Sequence, residues 1–275
     1  MTLSRRAAIA LVPLLAGLGV ARRARAAEVD GHFTQGGLVF GRAAAGSRVT
    51  LDGESVRVGG DGRFLLGFGR DHPPQASLAV TQADGRTESR QLAIAQRSYD
   101  IQRIDGLPQN QVEPGADELK RIKAEQARIN AARARDTDLP HAFDGFEWPA
   151  IGPISGVYGS QRILNGEPRR PHFGVDVAAP VGTPLKAPAG GIVSLADADL
   201  FFTGGTVMID HGRGLCSIFA HMQTVTVREG DKLAKGDVAG TLGGTGRATG
   251  PHLHWGMYLF GTPLDPQLLA PPMPV

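Results

Sequence analysis

The stretch GPHLHWG, Gly250–Gly256, sets two imidazoles one residue apart in a run that alternates like a strand. Side chains at i and i+2 of a strand stand on one face, so His252 and His254 are expected side by side. That spacing suits a metal ligand, a proton carrier or both. Alone it decides little, because paired histidines also occur as ordinary packing. Three further histidine contexts change the balance. His172 lies in PHFGVDVA with Asp176 four residues on, His221 lies in SIFAHM, and His211 lies in VMIDHG. His172, Asp176 and one histidine of the later pair offer two imidazole nitrogens and a carboxylate oxygen. Such a set suits Zn²⁺, and three protein ligands leave a fourth position for water, as a catalytic site requires. His211, in a strand-end turn, is expected to be structural.

Geometry constrains the first pair. Fully extended, positions i and i+4 are about 13 Å apart, too far for both side chains to share an ion easily. HFGVDVA is a poor helix, so Gly174 must supply a bend. Cys216, in LCSIFA, is the only cysteine. An intrachain disulfide and a thiolate metal site are therefore excluded, and its apolar neighbours give it a structural role.

Three segments must position these groups. Residues 36–95 hold short runs such as GLVFG, SRVTLD and RFLLGFG. Asp52-Gly53, Asp61-Gly62 and Asp84-Gly85 between them are the dipeptides that tight hairpins prefer. A small antiparallel β-sandwich, Ig-like and extending over 28–105, is expected. Residues 116–135 lack Gly and Pro, and Leu119, Ile122 and Ile129 recur with a helical period. This predicts a linker helix over 115–136 that lays a narrow apolar stripe on a domain surface. From Phe143 to about residue 270, glycines, prolines and short β-branched runs predict an antiparallel β-sheet domain. The fold class is mainly β.

Residues 1–26 read as an export signal: Arg5 and Arg6, an apolar run over 7–21, then Ala24-Arg25-Ala26 for cleavage. SRRAAIA resembles a twin-arginine signal. These residues hold five arginines and no acid, so cleavage moves the formal charge from +2 to −3. The precursor pI of 8.9 then gives no case for nucleic-acid binding, and no stable membrane insertion is expected after cleavage. The protein is expected in the periplasm or outside the cell. The sequence leaves the oligomeric state open.

GSQRILNGEPRRPHFGVD, FAHM and GTGRATGPHLHW resemble the lysostaphin-like (LytM-type) zinc endopeptidases of bacterial cell walls, over about Gly152 to Pro266. The resemblance implies that His172, Asp176 and His254 hold the zinc, that His252 is the catalytic base, and that His221 is its partner steadying the oxyanion. It places Arg162 and Asn165 along the cleft as substrate-binding residues. In the family it resembles, some relatives supply a tyrosine near the oxyanion; Ser160–Pro171 contains none, Tyr158 being the nearest. The implied partner is peptidoglycan, and the favoured bond is the D-alanyl–meso-diaminopimelate amide of a cross-link. The alternative is a non-catalytic relative of this fold that activates a cell-wall amidase, against which all five site residues being present argues.

Overall fold

The computed structural model describes residues 26–274, and residues 1–25 of the expected export segment lie outside them. The chain is mainly β, as expected. In the first region a three-stranded sheet of Ala27–Gly31, Leu38–Ala43 and Arg63–Gly67 faces a four-stranded sheet. The latter is ordered Glu54–Val56, Arg48–Leu51, Gln75–Thr81, Thr87–Ala93. Phe64, Leu66, Val39, Val49, Leu78 and Val80 fill the space between them. Asp52 and Gly53 both take positive φ (52° and 86°), and Leu51 pairs with Glu54 across them. This is the two-residue hairpin that an Asp-Gly dipeptide favours.

The three-stranded sheet is covered on both faces. Leu38 and Leu65 alternate with Val39 and Phe64 and point the other way, into the core of the second region. RFLLGFG is therefore apolar almost throughout, because neither face meets water. Burying each such leucine contributes about 2 kcal/mol. Arg97 donates to Asp265 at 2.8 Å across the same junction, and Arg70 Nε donates to the Gly159 carbonyl at 2.6 Å.

The second region is built on a large sheet whose main path runs Lys232–Leu233, Gly191–Leu200, Gly204–Gly212, Leu215–Val225, His252–Leu259, Val175–Ala178, Ile154–Gly156. Trp255, Phe219, Val175, Val177 and Leu253 form its buried face, and the Trp148 ring meets Trp255 edge-on at 5.5 Å. Cys216 is free and buried, and burial pushes its thiol up to about 12. A thiol in that state is inert.

Residues between the two regions do more than connect them. Ile101–Ile104 pairs in parallel with Gln161–Leu164, sixty residues later. These four residues, within the span expected for the sandwich, hydrogen-bond to neither of its sheets. Ile104, Leu107, Val112 and Leu164 form a small cluster of their own. The helix spans Ala116–Arg133, with Asp117 and Glu118 in its first turn, where the helix dipole favours acids. Ile129 and Ala132 pack on Leu195, Met208 and Ile218, whereas Leu119 is 54% exposed. Arg128 holds Asp197 at 2.6 Å. No helix among the described residues is long and apolar enough to cross a membrane.

Candidate metal centre and active site

Strand register puts Asp176 opposite His254, in the antiparallel pair Val175–Ala178 with His252–Leu259. His172 stands just before that strand, so the extended i to i+4 distance never applies. The chain bends at Phe173-Gly174. A side chain at Gly174 would place its Cβ 2.6 Å from Cε1 of His254, so only glycine lets the bend pass the ring. His172 Nε2 lies 3.0 Å from Asp176 Oδ1 and 2.9 Å from His254 Nδ1. His254 Nδ1 and Asp176 Oδ1 are 2.9 Å apart. Three donor atoms thus form a nearly equilateral triangle.

His172 Nδ1 faces the Val157 carbonyl at 3.1 Å. A carbonyl only accepts, so Nδ1 carries the proton and Nε2 offers its lone pair to the triangle. Burial lowers the His172 pKa to about 4 against the pull of Asp176, which keeps the ring neutral as ligation requires. For Asp176, burial alone would raise the pKa, but contacts with His172 and His254 hold it well below the usual carboxylate range. Lone pairs and an anionic oxygen converging at 2.9–3.0 Å fit a cation at their centre. Two imidazoles and one carboxylate fit zinc.

The other two histidines face the same space. His252 Nδ1 donates to the Gly250 carbonyl at 2.8 Å, leaving Nε2 3.9 Å from Asp176 Oδ1. That is close to the triangle but outside bonding distance of its members. His221 Nδ1 donates to the Thr245 carbonyl at 2.8 Å, and its ring centre is 4.8 Å from that of His252. Burial pushes the His221 pKa down to about 3, with His252 and His254 adding to the effect. His221 also holds φ at +62°, a left-handed conformation that is unfavourable for a residue with a Cβ. Its N–H on the Thr203 carbonyl at 2.7 Å helps fix this conformation and so aims the ring.

A sequence model of Peptidase family M23 matches residues 170–266. A Pseudomonas aeruginosa crystal structure assigned to peptidase M23 superposes with a TM-score of 0.64 at 31% identity, covering 86% of this chain and 93% of that one. The chain belongs to peptidase family M23. Peptidases of this family are zinc-dependent. The DD-carboxypeptidase/endopeptidase Mpg of Neisseria meningitidis is 40% identical over 105 residues, 38% of this chain and 24% of Mpg. The peptidoglycan DD-endopeptidase ShyA of Vibrio cholerae is 34% identical over 136 residues, 49% of this chain and 31% of ShyA. The chain thus spans about a quarter to a third of the length of these two curated relatives.

Around the M23 triangle lies a pocket of about 120 Å³. Arg162 lines it with Asp176, His221 and His252, and its Nη2 donates to Asp176 Oδ2 at 3.3 Å. Asn165 does not line it. Its Oδ1 accepts from the Leu107 N–H at 3.1 Å and its Nδ2 donates to the Leu107 carbonyl at 2.9 Å. Both ends of this amide are held by the Leu107 backbone, away from the pocket. Tyr158 is likewise committed, with its hydroxyl on the Pro263 carbonyl at 2.9 Å. Sequence reasoning missed Gln102, Ile104 and Leu107, which wall the pocket from the connecting segment, and Arg247. No local pattern marks the first three. Arg247 sits inside GTGRATG, five residues before His252, and a cation that close to the paired histidines was an available signal.

Proposed function

We propose that this chain is an exported, zinc-dependent endopeptidase that hydrolyses peptide cross-links of peptidoglycan, preferentially the D-alanyl–meso-diaminopimelate amide. One observation carries the proposal. Nε2 of His172, Oδ1 of Asp176 and Nδ1 of His254 converge within 3.0 Å of one another, and Nε2 of His252 faces them at 3.9 Å from Asp176. The printed names of Mpg and ShyA, both endopeptidases, support the substrate class.

Zinc, when bound, supplies a Lewis acid that acidifies water and polarises the scissile carbonyl. His172, Asp176 and His254 would hold it. His252, its Nδ1 proton tied to the Gly250 carbonyl, accepts the proton of the attacking water at Nε2 and returns it to the leaving amine. His221 presents the same tautomer, so at rest its Nε2 is an acceptor. It would steady a developing oxyanion only as the imidazolium, formed if it rather than His252 takes the proton of the attacking water. Burial, which lowers its pKa to about 3, opposes that. The left-handed backbone at residue 221 keeps that ring within reach of His252 throughout.

The test is digestion of purified cross-linked muropeptide dimers by zinc-loaded protein. Conversion to monomers, stopped by a chelator and absent in His252→Ala that still holds zinc, is expected. Glycan–peptide amide cleavage seen only when an amidase is added would replace this assignment with the activator.

A further inference from the structure

Beside the pocket at the triangle lies a second, larger cavity of about 900 Å³ along the linker helix. Arg162, Leu164 and Arg247 line both spaces and so stand at the threshold between them. Arg169 and Arg170 line the larger cavity beside them. Asp176 is the only acid among the residues that line either space, and its Oδ1 belongs to the candidate metal triangle.

Among these arginines Arg247 has no carboxylate partner, although a partly buried cation normally has one. Arg247 Nη1 donates to the Gln111 carbonyl at 3.0 Å, and its guanidinium lies over the Phe202 ring at 4.3 Å. Neither contact neutralises it. Burial lowers its pKa to about 10, and the charges of Arg162 and Arg169 push in the same direction. Arg162 reaches only Gln102 at 3.4 Å and Asp176 at 3.3 Å. Arg169 Nε is buried with no hydrogen-bond partner. Asp176 pairs with Arg162 at 3.3 Å and Glu167 with Arg169 at 4.0 Å, which leaves Arg247, among these three cations, without an anion. The planar fork of arginine matches a carboxylate in two parallel hydrogen bonds.

We infer that Arg247, with Arg162, binds a substrate carboxylate at the threshold of the active-site pocket, and that this carboxylate stands on the carbon bearing the scissile nitrogen. The inference rests on the endopeptidase reading for the identity of the substrate. In a D-alanyl–diaminopimelate cross-link the leaving amine carries a carboxylate on that very carbon, whereas a glycine bridge has no free carboxylate there. The pocket contains both Arg247 and His252, so a carboxylate two bonds from the leaving nitrogen falls within the space that the two share. Arg247 is a specificity-determining residue on this view, set apart from the proton-transfer histidines.

Two matched cross-linked dimers test this, one with that carboxylate free and one with it amidated. The wild-type protein should cleave the free acid about 10–100-fold more efficiently in kcat/KM, the range expected for a lost charge-assisted pair. Arg247→Gln should bring the ratio to within about threefold, and Arg247→Lys, which keeps the charge but loses the fork, should fall between. Thermal melting of each variant separates folding defects from specificity. A wild-type enzyme that cuts both dimers equally, or an Arg247→Gln variant that keeps the wild-type ratio, overturns the assignment. Calorimetric titration with the free and amidated monomers supplies the second measurement. Arg247-dependent preference for the free acid in a protein that cuts neither dimer would remove the endopeptidase reading and leave the carboxylate site standing.

Discussion

His172 and His211 are both wholly buried, both have Nδ1 on a backbone carbonyl, and burial brings the pKa of each to about 4. They differ only in what faces Nε2. For His211 it is the Ser217 hydroxyl at 2.5 Å, a donor that completes the ring's hydrogen bonding. For His172 it is a carboxylate oxygen, which cannot donate, and a second imidazole nitrogen, a set able to offer its lone pairs to one cation. The difference teaches that burial and a shifted pKa do not mark a functional histidine. An unmatched donor set does.

The largest effect that can break this comparison is on metal binding. His172→Ala should weaken zinc by more than about 100-fold, beyond the usual cost of losing a group that merely orients a ligand, and abolish turnover. His211→Ala should retain the metal but lose about 2–4 kcal/mol of stability, from the cavity and two lost hydrogen bonds. Metal content after dialysis, read beside urea unfolding, checks both. Zinc loss in His211→Ala at a temperature where it remains folded would make the two histidines equivalent after all.

A smaller effect appears in the pH dependence of stability. His211 ionises near 4 in the folded protein and near 6.5 when unfolded. The unfolded chain therefore takes up the proton first as pH falls. Stability from the neutral ring is complete above about pH 6.5 and is lost progressively down to about pH 4. Between pH 7.5 and pH 5 the loss is about 2 kcal/mol from this one group. Unfolding of metal-free protein at the two pH values should show that increment in the wild type and lack it in His211→Phe. An identical pH dependence in both would mean that His211 is not held neutral by its surroundings.

The sequence carried part of this organisation openly. Alternation in PHLHW is enough to place His252 and His254 on one face, and Asp-Gly at 52–53 is enough to close its hairpin, because both depend on neighbours along the chain. The meeting of His172 with Asp176 was harder to foresee. It needs a bend in which Gly174 leaves room for the His254 ring and the Trp255 carbonyl, both about eighty residues away. Ile101–Ile104 was harder still. Ile-Gln-Arg-Ile has no clear alternation to mark it as a strand of either region, and its parallel partner at 161–164 leaves no trace in local pattern. Arg162 and Asn165 show the same limit from the other side. Three residues apart in one stretch, they look alike in the sequence, yet one faces the pocket and the other grips the connecting segment.

That last pair gives the smallest and most discriminating prediction. Asn165 takes φ of +47°, a left-handed turn position that asparagine tolerates better than most residues, and spends both ends of its amide on Leu107. Asn165→Ala removes those two hydrogen bonds and places a less suitable residue at positive φ, for a combined cost of about 1–2 kcal/mol. Zinc content should match the wild type, and kcat should stay within about threefold, since the triangle and both proton-transfer histidines lie elsewhere. Asn165→Asp keeps the acceptor for the Leu107 N–H but sets an anionic oxygen against the Leu107 carbonyl. It should therefore be less stable than the wild type while still retaining zinc. Leu107 itself walls the pocket, so loosening its anchor should appear in KM before it appears in kcat. A large fall in kcat with KM and stability unaltered would return Asn165 to the cleft as a residue that touches substrate, and would show that its grip on Leu107 is released when substrate binds.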